Sequence, residues 1–536
     1  MKPSGIYNLP GLHFFLMASK LQDWALPFLT VFLASFAIYF VSLDFYFLVI
    51  SDDMAYVFRN PYLQKISLEN IAAIFSNLHF GDYLPVNLLS YSWDYTWWKF
   101  NAFGYHLTQV VLHSLNACLL FLILDLLEVP KKACWFSVLI FIVHPVHVES
   151  VVWIAERKNL LSSLFIFLSL WFYLRYAMSF RFRRMQYYFC LLSFFLALLS
   201  KSISVMFPCV LVLLDFLVLK RKMMVMEKIP FFLLSLLAGL GTIYSQGALG
   251  AIKEYAGGSF VVSLLYTLRV FWDYVVCLFF PFQLSPRYFF NSVSLKDPQF
   301  LLSYMFFFGI CFYVVKNFRS RPFAIFGIGW FVIWLIPVSN LIPIATLRQD
   351  RYLYLPSIAV IVAVCIGLES LGQGQRKNFL ANSMMVGCVL FLGSLSFMHT
   401  FTYASGLALW KRVANQYPQN APAQLTVGYQ CQLIEDNACA EKRYRQVLVI
   451  RPENAHALNN LGGLMIQRGQ YRDAQVLIEK AIRIEPTHAE AYGNRIVLAE
   501  KTGVGKAQIP RWKKKFDLFK KMKRRKDYLL GEFRFR

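Results

Sequence analysis

Asp52 and Asp53 stand side by side just after a long apolar run. Ionisable groups at a membrane surface tend to be functional, and a carboxylate there can serve as general base towards a hydroxyl. Two neighbours on an irregular segment point differently, so only one of the pair is expected to act as base. The plain alternative is that both simply end the helix in water. Further on, His144, His147 and Glu149 form the string HPVHVE. An H-x-x-H spacing can hold a divalent metal with an acidic third ligand. Pro145 breaks the helical spacing between the two rings, however, and hydrogen bonding to the loop or to a sugar is the reading preferred, with no residue assigned as a metal ligand. Glu156, Arg157 and Lys158 follow. His106, Gln109, His113 and Asn116, at spacings of 3, 4 and 3, share one helix face. Such a stripe must face protein or a cavity rather than lipid. Interhelical hydrogen bonds are one reading and a lining for a lipid groove is the other.

These groups need elements to place them, and the composition says what kind. The 536 residues have a mean hydropathy of +0.48, and only 16% are charged, against about 25% in a soluble chain. Apolar runs recur over the first 400 positions and read as membrane helices. Spans are expected at 25–50, 106–127, 133–146, 159–178, 186–200, 203–219, 229–246, 300–316, 322–338, 354–371 and 379–400. The first run starts near Trp24 and is too long for a signal-peptide core, so it is expected to stay as a helix.

Every second connection is basic: Lys131 and Lys132; Arg175, Arg181, Arg183 and Arg184; Lys220, Arg221, Lys222 and Lys228; Lys316, Arg319 and Arg321; Arg376 and Lys377. The positive-inside rule makes these cytoplasmic and sends the C-terminus outside. Segment 260–282 is apolar but carries Arg269 and Asp273. Counted as a span it would reverse the charge pattern, so it is read as an interfacial or re-entrant helix on the outer face. That face then holds the polar loops and an unusual set of cations, Arg157, Lys158, Lys201, Arg348 and Arg351. A phosphate partner would justify them, since an arginine fork suits phosphate. Internal ion pairs with Glu149, Glu156 or Asp53 are the alternative. The net charge of +24 sits in inner loops and in a tail, 506–526, with eleven Lys/Arg against Asp517. It is no nucleic-acid signature. The ten cysteines contain no CxxC pair and read as packing residues, apart from Cys431 and Cys439 outside the membrane part.

Pro418, Pro452 and Pro486 recur every 34 residues, as do Ala421, Ala455 and Ala489. Leu458, Leu461, Gly462, Ala474, Ala481 and Pro486 fall on the tetratricopeptide (TPR) pattern. Two full units with flanking halves are few for a free-standing solenoid, so the array is expected to lean on the membrane part or on a partner. The tail after it reads either as a basic, partly amphipathic helix or as a solvated end.

Five stretches, 51–61, 83–120, 144–165, 198–215 and 344–357, with the C-terminal repeats after them, together resemble the TMTC-type membrane glycosyltransferases and their bacterial relatives, which are similar to the protein O-mannosyltransferases of the GT-C fold. The resemblance implies a mainly α, polytopic GT-C fold of about eleven spanning helices over 1–400, a TPR α-solenoid over 401–505 on the periplasmic or lumenal side, and a basic tail over 506–536. It implies an enzyme that takes a sugar from a polyprenyl-phosphate-linked donor and passes it, with inversion, to a protein or glycan acceptor, the TPR array serving acceptor recognition. Asp52 and Asp53 fill the family's catalytic place, as Asp-Asp where the protein O-mannosyltransferases show Asp-Glu. Arg157, Lys158, Lys201 and Arg351 are then candidates for the donor phosphate. His144, His147, Glu149, Glu156, His106 and His113 are candidates for the pocket. No cofactor is required by this reading, with a divalent metal left open; the partners are the lipid-linked sugar, membrane lipids and a peptide acceptor, not nucleic acid. A transporter or flippase would carry repeats and midplane charges, which the membrane half does not show, and a TPR scaffold leaves the acidic pair and outer cations unexplained. No N-x-[ST] sequon occurs, which favours a bacterial inner membrane over an endoplasmic-reticulum one.

Overall fold

The computed structural model describes residues 10–48, 52–78, 83–178, 183–222, 224–248, 254–290, 297–344, 346–372 and 375–530, with side chains from residue 25 to residue 522. Arg181 and residues 531–536 of the tail lie outside them. The described residues are helical throughout, with no strand. In chain order the helices are α1 (Pro10–Tyr39), α2 (Leu68–Ser76), α3 (Pro85–Trp98), α4 (Ala102–Leu126), α5 (Lys131–Val143), α6 (Val148–Val152), α7 (Arg157–Met178), α8 (Arg183–Leu198), α9 (Phe207–Leu217), α10 (Val225–Ala248), α11 (Phe260–Phe279), α12 (Pro298–Asn317), α13 (Pro322–Leu335), α14 (Ser357–Leu371) and α15 (Gln375–Thr400). Then come α16 (Gly406–Gln416), α17 (Ala421–Leu433), α18 (Asn437–Ile450), α19 (Ala455–Gln467), α20 (Tyr471–Ile484), α21 (Ala489–Thr502) and α22 (Ile509–Leu530).

Among the described residues, seven helices are long and apolar enough to cross a membrane. A bent pair, Lys131–Val143 with Pro145–Val152, makes an eighth span broken by 50°. Three shorter apolar helices, Ser202–Leu217, Pro322–Val338 and Ser357–Leu371, bring the set to the number read from the sequence, but with one exchange. Phe260–Phe279 passes the length and composition test, whereas α8, at 16 residues with a polar first turn, does not. Helix α11 is tied to its surroundings by hydrogen bonds. Thr267 donates to the Ser339 carbonyl, Gln349 N–H donates to Tyr274 (3.1 Å), and His144 Nε2 donates to the Leu278 carbonyl (3.0 Å). All three partners belong to the connections 144–152 and 339–353. Those bonds tie the helix to these connections from Thr267 to Leu278, and its Arg269–Asp273 pair (2.9 Å) lies against Arg348, 3.2 Å from Asp273.

The polar stripe of α4 ties helices together. Gln109 donates to the Trp153 carbonyl (2.8 Å), His113 meets the Tyr354 hydroxyl (2.8 Å) and the Ile142 carbonyl (3.3 Å), and Asn116 donates to the Leu160 carbonyl (3.0 Å) and to Tyr354 (3.1 Å). A buried amide or imidazole is tolerable in such a core only with partners of this kind. One large apolar cluster then packs α1, α4, α5, α7, α9, α13 and α14 around it.

In the C-terminal part, α17–α18 and α19–α20 are antiparallel pairs. They close because glycine recurs at the crossing: a Cβ on Gly428 would stand 2.6 Å from the Tyr444 ring, and one on Gly462 2.8 Å from Ile478. Asn420 and Asn454, 34 residues apart, cap α17 and α19 through their side-chain oxygens. A disulfide joins Cys431 to Cys439 across the first hairpin. The half-unit α16 leans on the membrane part: Arg412 donates to the carbonyls of Leu284 (3.2 Å) and Phe282 (3.0 Å), and Gln416 to that of Gln283 (3.2 Å). At the other end α22 packs on α21 through Trp512, Phe516 and Phe519, the last 5.8 Å from Tyr492.

Candidate functional site

The two aspartates are separated by burial. Asp53 is 1% exposed; its Oδ2 accepts from Leu48 N–H (2.9 Å) and its Oδ1 from Ala155 N–H (2.8 Å). It thereby fastens the segment after the first span to the turn that precedes α7. Burial, set against these two hydrogen bonds, pushes its carboxyl up to about 7. Asp52 is exposed, and its charge acts on Arg351. Of the pair, Asp52 is the one with a face towards solvent.

Beside it lies a knot of charge drawn from four separate segments. Arg351 meets Glu149 Oε1 (2.7 Å) and Glu156 Oε1 (3.3 Å), and its N–H donates to Glu149 Oε2 (2.9 Å). Lys158 stands 3.9 Å and Lys201 3.7 Å from Glu156. Asn159 joins the set, donating to Glu156 Oε2 (3.2 Å) and accepting from Lys201. The carboxylate side chains are 0% exposed, while those of Arg351, Lys158 and Lys201 are 12–13% exposed. The cation tips form the open edge. Trp153 and Tyr352 lie 5.4 and 5.8 Å from the Arg351 guanidinium, and Tyr56 5.1 Å from Lys158. A pocket edge of aromatic faces and cations suits an anionic, part-apolar ligand.

Arg157 is elsewhere. It is 0% exposed, pairs with Asp94 of α3 at 2.5 Å, donates to the Tyr105 carbonyl (3.0 Å) and sits 4.5 Å over the Tyr91 ring. Its fork is committed to holding α3 and α4 against α7, and no face of it is open. Nor do the histidines form a metal pair. His144 Nδ1 accepts from Val146 N–H (3.3 Å), and Nε2 is bonded to Leu278. His147 donates from Nδ1 to the Phe141 carbonyl (2.7 Å) and bonds Ser357 through Nε2 (2.9 Å). The two Nδ1 atoms shape the kink between α5 and α6, and the two Nε2 atoms tie it to α11 and α14. His106 and His113 are buried in α4.

Sequence reasoning missed Asp94, Asn159 and Asp350. Asp350 accepts from Tyr288 (2.6 Å) and from Ser285 N–H (3.2 Å), anchoring segment 280–290 beside Arg351. Burial, offset by Arg348, raises its carboxyl to about 6. A lone acid among aromatics, SWDYTWW around Asp94, was the one available signal.

Residues 435–494 match the tetratricopeptide repeat family model. The chain is 24% identical over 421 residues to the human protein O-mannosyl-transferase TMTC4, covering 66% of this chain and 56% of that one. It is 24% identical over 435 residues to the mouse TMTC4, covering 69% and 58%. An 83-residue stretch, 16% of this chain and 9% of the other, is 32% identical to the mouse protein O-mannosyl-transferase TMTC3. The chain thus spans little more than half the length of the two TMTC4 relatives. Among solved structures, ArnT from Cupriavidus metallidurans bound to undecaprenyl phosphate aligns with a TM-score of 0.39 and 14% identity, over 88% of this chain and 80% of that one.

Proposed function

We propose that this chain, a relative of the TMTC-type protein O-mannosyl-transferases, is a membrane glycosyltransferase of the GT-C kind. It takes a sugar from a polyprenyl-phosphate-linked donor and transfers it with inversion to a protein or glycan acceptor on the periplasmic or lumenal face. One observation carries the reading: an exposed carboxylate, Asp52, stands within electrostatic reach of a cation edge built on Arg351, Lys158 and Lys201. Asp52 takes the acceptor hydroxyl proton as that oxygen attacks the anomeric carbon. The bond from that carbon to the phosphate oxygen breaks, and the leaving phosphate takes its electron pair towards the cations. Buried Glu149 and Glu156 hold the cations in place, and Asp53 sets the position of its neighbour.

The test is transfer from a polyprenyl-phosphate-linked sugar by the full chain in lipid nanodiscs, with glycoproteomics of cells carrying wild type or Asp52→Asn to name the acceptor. Loss of a general base costs typically about 10²–10⁴-fold in rate. Asp52→Asn should fall by that much with unchanged expression and melting, since it is exposed and nearly isosteric. Wild-type transfer by Asp52→Asn would remove Asp52 as base; absence of any glycan difference between cells with and without the protein would leave the scaffold reading.

A further inference from the structure

The repeat array contains a break in its own rule. Asn420 and Asn454 cap successive first helices with their side-chain oxygens, and the third position, 34 residues on, is His488. His488 makes no capping bond to α21. It is 3% exposed, and neither ring nitrogen makes a hydrogen bond among the described residues. A buried imidazole in that condition is unfavourable unless something else engages it. Around it stand His456 on α19, Glu485 at the end of α20 and Glu490 on α21. Ligand atoms of His456, Glu485 and His488 all lie within 4.8 Å of one another. His456 Nε2 is 3.8 Å from Glu485 Oε2, and His488 Nδ1 is 3.2 Å from Glu490 Oε2. Tetrahedral zinc with nitrogen and oxygen ligands at about 2.0–2.1 Å places its donors roughly 3.3–3.4 Å apart.

We propose that His456, Glu485 and His488, with a water as the fourth donor, form a divalent transition-metal site of the zinc class. Two imidazoles and a carboxylate oxygen are a borderline donor set that suits zinc and cobalt over calcium or magnesium. The three elements it joins come from adjacent units: the start of α19, the end of α20 and the start of α21. A metal there staples the last full repeat to the half-unit that follows, where a short array gains little from stacking. The buried ring is the anchor. Exposed His456 closes from solvent, which provides the entry path.

Cobalt(II) is the probe, because tetrahedral coordination gives visible absorption that octahedral water does not. The detergent-solubilised full chain, stripped with chelator, should take up one Co²⁺ with such bands, and one equivalent of Zn²⁺ should erase them. His456→Ala removes an exposed ligand without touching the core and should abolish the bands. His488→Asn restores the capping residue of the two earlier repeats, so it should fold at least as well as wild type while losing the bands. Zinc should protect the α19–α21 region of wild type from proteolysis and leave His488→Asn unprotected. Unaltered cobalt bands in both variants, or no stoichiometric uptake by wild type, would overturn the site. Protection by zinc that persists in His488→Asn would do the same.

Discussion

Asp53 and Arg157 are both buried, Asp53 bonded to two backbone N–H groups and Arg157 paired with Asp94. Asp53→Asn must present an amide N–H to either Leu48 N–H or Ala155 N–H, leaving one buried donor unpaired at a cost of about 1–3 kcal/mol. Its effect should therefore fall on stability, and on rate only through Asp52. The pH dependence carries a sign. The Asp53 carboxyl is raised from 3.8 to about 7 by burial, so folding favours its neutral form. Its contribution is full below pH 3.8 and is lost as pH rises through about 7. Melting in detergent should show wild type losing ground to Asp53→Asn between roughly pH 4 and pH 7, and a difference that does not change with pH would contradict it. For the cations, Arg157→Ala strands Asp94 in the core and should cost about 3–5 kcal/mol. It should show as poor expression and lowered melting. Lys201→Met, at the open edge, should instead leave melting near wild type and raise KM for the lipid-linked sugar. If both variants behave alike, Lys201 is a structural cation too. The types at these positions were legible in the sequence, but the partners were not. The Glu149–Arg351 pair bridges 202 positions, and which of several outer carboxylates an arginine meets is decided by helix packing that no local pattern records.

At the scale of elements, legibility followed periodicity. The 34-residue recurrence of proline, alanine and small residues returned helix pairs where they were expected, and the α4 stripe announced a buried polar face. Helix α11 shows the limit. Its composition and length allow a span, and no local pattern records its bonds to Ser339, Gln349 and His144. The basic tail shows a different limit. The sequence shows an apolar side on α22 but not its partner: Trp512, Phe516 and Phe519 are spaced to meet α21. The helix serves as the closing layer that a repeat array needs at its end. Removing residues 506–536 should thus expose α21 and accelerate its proteolysis at low and high salt alike. Salt-dependent loss of membrane association, with α21 still protected, would assign the tail to lipid instead.

For the whole molecule, the arrangement is a helical membrane part whose polar connections carry the charge knot, with the repeats leaning on it through α16. Segment 280–290 is the joint: Arg412 holds its carbonyls from one side and Asp350 holds Ser285 and Tyr288 from the other. The expectation from loop charge is that this face lies outside; a reporter active only in the cytoplasm should then be silent when fused after Arg536. The Cys431–Cys439 bond provides a way to time the same event without a fusion. Thiols stay reduced in the cytosol and pair in the periplasm or secretory lumen. In a pulse-labelled chain, these two sulfurs therefore act as a clock that starts at export. Trapped with alkylating agent at successive moments, newly made molecules should first expose both thiols and then lose them together, while the eight other cysteines stay reduced. The delay between synthesis and that loss is the time the last part of the chain takes to cross the membrane and close its first hairpin, and blocking export should stop the clock at zero.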